Sequence, residues 1–358
     1  MTGVALPGRA SGSGRMVSDP YGLGRVVGEP GVLPQRAQRL DPSLPLRPSE
    51  LLVEVESLNI DAASFKQIRE SCAGDERRMV EMIRDIVRTR GKMQNPVTGS
   101  GGMLIGRVRE IGQEHPARER LRPGDRIATL VSLSLTPLVL EEVRAIHPAI
   151  DRVDVRGQAI LFASGIYVRL PEDLPDTVAL AALDVCGAPA LVARHARPDM
   201  RIAVLGAGKS GALCLAQARR SMAGRGQLLA LDISPRALET LAGLGLTDDT
   251  LAVDATRAVD VLEAVRRATG GALCDLVINC ASVPGTEMAT VLSTRDGGTA
   301  IFFSMATSFT AATLGAEGVG KDLTMILGNG YVPGHADLTL QLLRSEPMLR
   351  NFFAARYG

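Results

Sequence analysis

The sequence predicts an α/β protein in two parts: a β-rich first half with few helices, and a second half built as a doubly wound parallel sheet. Three observations predict it. Before about residue 170, strand-like runs alternate with turns rich in Gly and Pro. From about residue 176, short apolar runs alternate with helical patterns, as strands joined by crossover helices do. The length of 358 residues suits two domains, and 46% hydrophobic with 22% charged residues is an ordinary globular balance.

Residues 1–50 are rich in Gly, Pro and Arg and read as an irregular leading segment held on the surface rather than forming core. Residues 51–58 read as a strand that becomes alternating. A helix is expected over 75–90, because Met79, Val80, Met82, Ile83, Ile86 and Val87 recur at helical spacing and Gly91 stops them. The run from Asn95 to Gly102 holds too much Gly for a regular element. Strands follow at 103–111 and 127–133, the second fed by the turn Arg122-Pro123-Gly124-Asp125-Arg126. In the second half the expected strands are 201–206, 227–232, 251–254, 275–280, 299–304 and 323–327, with helices such as 209–220 and 234–244 between them.

The first of these strands runs into Gly206-Ala207-Gly208-Lys209-Ser210-Gly211, and a helix follows at once. Gly206 permits the tight turn, Gly208 lets the backbone approach a pyrophosphate, and Gly211 allows helix and strand to pack closely. The helix N-terminus attracts the anion. Asp232 ends the next strand, 26 residues after Gly206, where a carboxylate accepts from both ribose hydroxyls and repels a 2′-phosphate. This is a Rossmann arrangement, and Asp232 without a following Arg favours NAD over NADP. Lys209 and Ser210 belong to the same cofactor turn. Asp254 closes the third strand and is a candidate for the adenine border or a strand-end cap. Cys280, Ala281, Ser304 and Met305 follow the fourth and fifth strands, whose ends line the nicotinamide side by the fold rule.

Composition excludes other classes. Forty basic against 39 acidic residues leave +1, so no basic face for nucleic acid or an acidic membrane is implied. There is no Trp, and 3% aromatics make stacking platforms for bases improbable. No apolar run reaches about 18 residues, the length a membrane span needs. Met1 to Pro20 lack the pattern of a secretory leader. The five cysteines form no CxxC, so neither a disulfide framework nor a zinc ribbon is expected. The expectation is a cytoplasmic protein with reduced thiols.

The β-rich first half, the Rossmann second half and the Pro-Gly-Asp turn together resemble the medium-chain dehydrogenase/reductase superfamily over roughly residues 45–345. The resemblance implies a GroES-like catalytic domain over 1–175, to which 335–358 return, and a Rossmann NAD-binding domain over 176–334. It also implies a homo-oligomer. Zinc-dependent members carry a Cys, a Gly-His-Glu and a second Cys. Here those places hold Asn59-Ile60-Asp61, Gly101-Gly102-Met103 and Cys186. One thiolate cannot hold a catalytic zinc, so no metal is expected and Cys186 is either a substrate contact or a packed thiol.

A closer resemblance rests on four segments. They are Lys92-Met93-Gln94-Asn95-Pro96-Val97-Thr98-Gly99-Ser100-Gly101-Gly102-Met103-Leu104, Ser64-Phe65-Lys66-Gln67-Ile68, the Gly206–Gly211 turn, and Lys321-Asp322-Leu323-Thr324-Met325-Ile326-Leu327-Gly328-Asn329-Gly330-Tyr331. These are similar to the L-erythro-3,5-diaminohexanoate dehydrogenases of lysine fermentation. The resemblance implies NAD-dependent oxidative deamination of 3,5-diaminohexanoate to 5-amino-3-oxohexanoate and ammonia.

That chemistry needs a base to neutralise the 3-ammonium, and polar partners for a carboxylate and a second ammonium. Asp61 is the first candidate acid at the cleft edge, and Asp184 a second at the domain junction. Lys66 is a candidate desolvated base or carboxylate anchor. Asn95, Thr98 and Ser100 are candidates to hold the carboxylate, and Asn329 to touch the nicotinamide amide. The four histidines, His115, His147, His195 and His335, are not paired at ligand spacing and are read as structural. Two other functions remain open at this level: a zinc-free NAD(P)H quinone or carbonyl reductase, and a non-catalytic nucleotide-binding protein.

Overall fold

The computed structural model describes residues 18–328 and 330–358; Asn329 lies outside the described residues. The chain divides into two compact units, the first ending at Asp173 and the second running Leu174–Gly358.

In the first unit, residues 18–49 are irregular apart from a short 3-10 turn at Leu23–Arg25 and a bridge from Val26 to Leu40. The segment is nevertheless more than surface. Ala37 and Leu40 are fully buried, and so is Arg25. Arg25 donates from Nε and Nη2 to the Glu50 carboxylate at 2.7 and 2.6 Å, and from its remaining NH groups to the carbonyls of Asp41, Ser43 and Pro45. A buried guanidinium needs that many acceptors, and composition does not reveal where they converge.

The strands β1 (Glu50–Ile60), β2 (Gly102–Ile111), β3 (Arg126–Thr129), β4 (Leu138–His147), β5 (Arg152–Phe162) and β6 (Tyr167–Arg169) form one antiparallel sheet in the order β4-β5-β1-β2-β3-β6. This is the GroES-like part. Leu51, Val53, Val55, Leu58 and Ile60 of β1 enter its core, and a register shift between Val55 and Ser57 keeps both halves of the strand facing inward. The strand expected over 127–133 ends at Thr129; Ser132 then caps a 3-10 turn at Leu133–Leu135. Helix α1 (Ala62–Ser71) is capped by Asp61. Helix α2 (Glu76–Arg90) is capped by Asp75, whose carboxylate accepts from the amides of Arg77 and Arg78. Met79, Ile83 and Val87 form the buried stripe of α2. Gly91 ends it at φ 63°, and a Cβ there would stand 2.0 Å from the Leu40 carbonyl oxygen. Truncating Ile83 to Ala would destabilise this unit by about 2–5 kcal/mol.

The second unit contains α3 (Asp176–Leu183), α4 (Gly187–His195), β7 (Arg201–Leu205), α5 (Lys209–Met222), β8 (Gln227–Asp232), α6 (Pro235–Gly243), β9 (Asp249–Ala252) and α7 (Ala258–Ala268). It continues with β10 (Cys274–Asn279), α8 (Glu287–Ser293), β11 (Thr294–Phe302), α9 (Phe309–Gly318), β12 (Leu323–Leu327), α10 (His335–Ser345) and α11 (Pro347–Tyr357). The strands are parallel in the order β12-β11-β10-β7-β8-β9, the doubly wound Rossmann order, with the winding reversing between β7 and β10. Their apolar runs follow from burial on both faces of a parallel sheet.

Helices α10 and α11 depart from expectation. Instead of returning to the first unit, α10 packs on α3, α4 and α5, and α11 on α3 and α5. Leu340, Leu342, Leu343, Leu349 and Phe353 supply their buried faces. No single helix among the described residues is long and apolar enough to cross a membrane. The pair α3 and α4, bent by 52°, passes that test only by length and composition, and nearly all of its apolar side chains are core.

Candidate active site

In the second unit the turn after β7 has the geometry a pyrophosphate requires. Gly206 has φ 101°, and a Cβ on it would lie 3.0 Å from the Cys280 carbonyl carbon and the Ala281 nitrogen. At Gly211 a Cβ would fall 1.9 Å from the Gly206 carbonyl oxygen, so any side chain would push α5 off the sheet. Gly208 differs: it caps α5, and nothing lies within 4 Å of where its Cβ would be. A tight turn, a close helix and an open backbone facing the helix N-terminus fit a dinucleotide. Asp232 reaches the same place. Its Oδ2 accepts from Ala207 N at 2.7 Å and its Oδ1 from Ser234 N at 2.8 Å. Each oxygen retains a lone pair for a ribose hydroxyl.

Other cofactor candidates fall at the strand ends, with different environments. Cys280 is half-buried and its amide donates to the Leu205 carbonyl at 2.8 Å. Ala281 N donates to Asn279 Oδ1 at 3.1 Å, and Ser304 Oγ accepts from Ala306 N. Met305 is 96% exposed. Asn279, which the sequence reading missed, organises them. It is fully buried, donates to Thr286 Oγ1 and Thr290 Oγ1 at 2.8 and 2.9 Å, and its carbonyl accepts from Phe303 and Ser304. The amide thereby ties the ends of β10 and β11 to α8. Asp254 lies two residues beyond β9 rather than closing it. Its carboxylate accepts from the amide and hydroxyl of Thr256, and these bonds hold it below the usual carboxylate range.

Two expectations need correction here, and for Cys186 one of the two alternatives falls away. Asp184 does not stand free for an ammonium: its carboxylate is ion-paired with Lys209 of the glycine-rich turn. Cys186 is buried, and burial pushes its thiol up to about 12, so it is a packed, inert group. Lys66, in the first unit, is 67% exposed and faces Glu70 across one helical turn, which is not the desolvated setting a lysine base requires. His335 is also structural, buried edge-on to Tyr331 at a centroid distance of 5.2 Å.

The first unit gathers Asp61, Thr98 and Ser100 around a residue not singled out from sequence, Ser64. Asp61 caps α1 by accepting from Ser64 N at 3.0 Å, and its Oδ2 accepts from Ser100 Oγ at 2.7 Å. Ser64 Oγ lies 2.5 Å from Thr98 Oγ1 and 2.9 Å from Ser100 Oγ. Asn95 does not point at this cluster. It is fully buried, donates to Gln67 Oε1 at 2.7 Å and to the Ser64 carbonyl, and accepts from the amides of Val97 and Thr98. It therefore shapes the loop from which Thr98 and Ser100 project. Gly101 and Gly102 take the first two places of the Gly-His-Glu carried by zinc-dependent members. A Cβ would lie 2.5 Å from the Met93 carbonyl oxygen at Gly101 and 2.1 Å from the Asn59 carbonyl oxygen at Gly102. Among the described residues no three His, Cys, Asp or Glu side chains converge as metal ligands.

Asp151 is a second carboxylate near Asp61. Its carbonyl accepts from Ile60 N at 3.0 Å, which anchors it beside the end of β1. Burial, with the Asp61 charge adding to it, holds Asp151 above the usual carboxylate range against the pull of Arg69. Its backbone is left-handed at φ 53°, an unusual conformation outside glycine. Residue 151 falls in a turn between two strands, and no motif marks it.

Comparison with known proteins agrees with both halves. A family model described as the L-erythro-3,5-diaminohexanoate dehydrogenase N-terminal domain matches residues 24–171. Among solved structures the fold is similar to an alcohol dehydrogenase from Thermotoga maritima, with a TM-score of 0.55, 17% identity and coverage of 87% of this chain and 86% of that one. It is also similar to the CurK enoyl reductase, with a TM-score of 0.53, 14% identity and coverage of 89% and 86%. Two proteins named L-erythro-3,5-diaminohexanoate dehydrogenase align over 338 residues, 94% of this chain and 98% of each relative. One, from Acetoanaerobium sticklandii, is 48% identical, and the other, from Fusobacterium nucleatum, is 49% identical. At that identity over nearly the whole length, the chain belongs to the L-erythro-3,5-diaminohexanoate dehydrogenase family.

Proposed function

We infer that this protein catalyses the NAD-dependent oxidative deamination of L-erythro-3,5-diaminohexanoate to 5-amino-3-oxohexanoate and ammonia. Family membership supports the substrate, and the observation that carries the cofactor is the open backbone at Gly208 beside the Asp232 carboxylate. The Rossmann domain, 176–334 with α10 and α11 packed on it, holds NAD. The GroES-like domain supplies substrate contacts.

Bound NAD supplies the hydride acceptor. The carbon bearing the 3-amino group releases hydride only when that nitrogen is neutral, so Asp61 is assigned to take the ammonium proton. Ser100 and the amide of Ser64 fix the carboxylate for this role. Once it has passed that proton to solvent, the same carboxylate assists water in adding to the oxidised carbon. Asp151 is assigned to the 5-ammonium, and Thr98 with the loop amides to the substrate carboxylate.

A homo-oligomer is part of this reading. Strand β12 is an edge of its sheet and its last residue, Leu327, is exposed, as are Phe309 and Leu314 of α9, which supports addition of a second copy at this edge. The cytoplasm is the proposed location, in keeping with five cysteines held as thiols.

The deciding assay follows NADH formation from the diamine alongside NADPH oxidation with a quinone. NADH from the diamine alone is expected. No NADH from the folded protein would sink the proposal, and quinone turnover would move it to the reductase branch of the fold.

A further inference from the structure

Two cysteines meet under the cofactor turn. Cys214, on α5, is fully buried, while Cys280, just after β10, is half-buried. Their sulfurs are 3.9 Å apart, although 66 residues separate them in sequence. The pair brackets the pyrophosphate turn. Cys280 donates its amide to Leu205, the last residue of β7, and its backbone abuts Gly206, whose Cβ position is 3.0 Å from the Cys280 carbonyl carbon. Cys214 belongs to the helix whose N-terminus completes the turn. The other three cysteines are all buried.

We propose that Cys214 and Cys280 form a reversible disulfide that ties α5 to the end of β10, distorts the Gly206–Gly211 turn and weakens binding of the dinucleotide. Closing the bond brings the sulfurs from 3.9 Å to about 2 Å. The shift is taken up where Cys280 presses on Gly206, since α5 and the sheet are already at closest approach at Gly211. The oxidant is a peroxide. The thiolate sulfur of Cys280, the accessible partner, attacks one peroxide oxygen; an S–O bond forms, the O–O bond breaks, and with hydrogen peroxide the leaving oxygen departs as water after taking a proton. Cys214 sulfur then attacks the Cys280 sulfur. The S–S bond forms, the S–O bond breaks, and the departing hydroxide takes the Cys214 proton to leave as a second water. Two thiols are oxidised by two electrons in all, and one peroxide is reduced. Burial raises the Cys214 thiol, so this second step quickens with pH. The proposal rests on the cofactor reading for its effect, but the cross-link itself does not.

The test treats the full chain with hydrogen peroxide, with and without NAD, and maps thiols by mass spectrometry. The expected result is a 2 Da loss carried by a peptide pair linking Cys214 to Cys280, slowed by NAD and reversed by dithiothreitol. NAD affinity, measured by calorimetry, should fall at least tenfold on oxidation and recover on reduction. In C214A, Cys280 should advance to the sulfinic acid with no cross-link. Oxidation of Cys280 in the wild type without linkage to Cys214, or no oxidation of either, overturns the disulfide. A cross-link that leaves NAD affinity unchanged overturns its effect on the turn. If the reduced protein binds no NAD, the cofactor reading fails, and the proposed effect on binding with it, while the peptide map still decides the disulfide.

Discussion

The carboxylate of Asp232 accepts the amide of Ala207 at 2.7 Å, so the acid that ends β8 also fixes the turn that follows β7. One side chain thus shapes the pyrophosphate site and presents oxygens to the ribose. Replacing it by Ala removes hydrogen bonds to a charged group, each worth about 1.5–3 kcal/mol. D232A should therefore bind NAD about tenfold to a hundredfold more weakly by calorimetry, and NADP should lose less because its 2′-phosphate no longer meets a carboxylate. Equal losses would contradict the ribose assignment.

Asp61 carries two duties that a single substitution separates. Asn caps helices as well as Asp does, so D61N should keep α1 and the melting temperature. It cannot take a proton, and kcat should fall on the order of a hundredfold or more. S100A removes the 2.7 Å bond that orients Oδ2, together with the hydroxyl contacts to Ser64 and Thr98, and should cost about tenfold. Full activity in D61N would remove Asp61 from proton transfer.

Asp151 should govern the choice of diamine over monoamine. Asn tolerates the left-handed backbone at φ 53°, so D151N should fold normally. Its kcat/KM for the diamine should drop about tenfold, while that for 3-aminohexanoate, which has no 5-amino group, should stay level. Parallel loss on both substrates would place Asp151 elsewhere in the reaction.

Lys92 predicts a pH signature in stability. Its ammonium is fully enclosed and donates to the carbonyls of Pro34 and Gln35 at 2.7 and 3.2 Å, and burial lowers its pKa from 10.5 to about 8. Between pH 8 and 10.5 the unfolded chain holds the proton and the folded chain releases it, so stability rises with pH across that window. Below pH 8 both states are charged and the contribution is flat. Urea unfolding of wild type minus K92M should show this rise, and a difference that stays level from pH 8 to 10.5 would refute it.

Local patterns in the chain reveal the cofactor half well, because a strand, a glycine turn, a helix and an acid at fixed spacing are neighbours in sequence. The substrate half is less legible. Ser64 meets Thr98 and Ser100 across 34 and 36 residues, and only the fold brings those hydroxyls together. Asp151 hides in a turn, and Asn279 reads as an ordinary strand end. Strand β11 begins at Thr294, five residues before the expected start, because Arg295-Asp296-Gly297-Gly298 looks like a turn while Gly297 bends within the strand at φ 68°. Lys66, Asp184 and Cys186 are reactive types at suggestive places in the sequence. Exposure denies Lys66 the setting of a desolvated base, a salt bridge occupies Asp184 and burial encloses Cys186, and none of the three is written in composition.

The carbonyl cradle that receives the Lys92 ammonium has a second meaning. Only four lysines stand among the forty basic residues of this chain. Lys92 ends on two backbone oxygens in a closed space, and Lys321 on the carbonyls of Val291, Leu292 and Thr294 at the end of α8. An ammonium points three short donors from one atom, whereas a guanidinium is a broad flat fork. Genomic drift toward arginine codons can pass freely through an exposed position such as Lys66, but shape, not charge, closes these two positions to it.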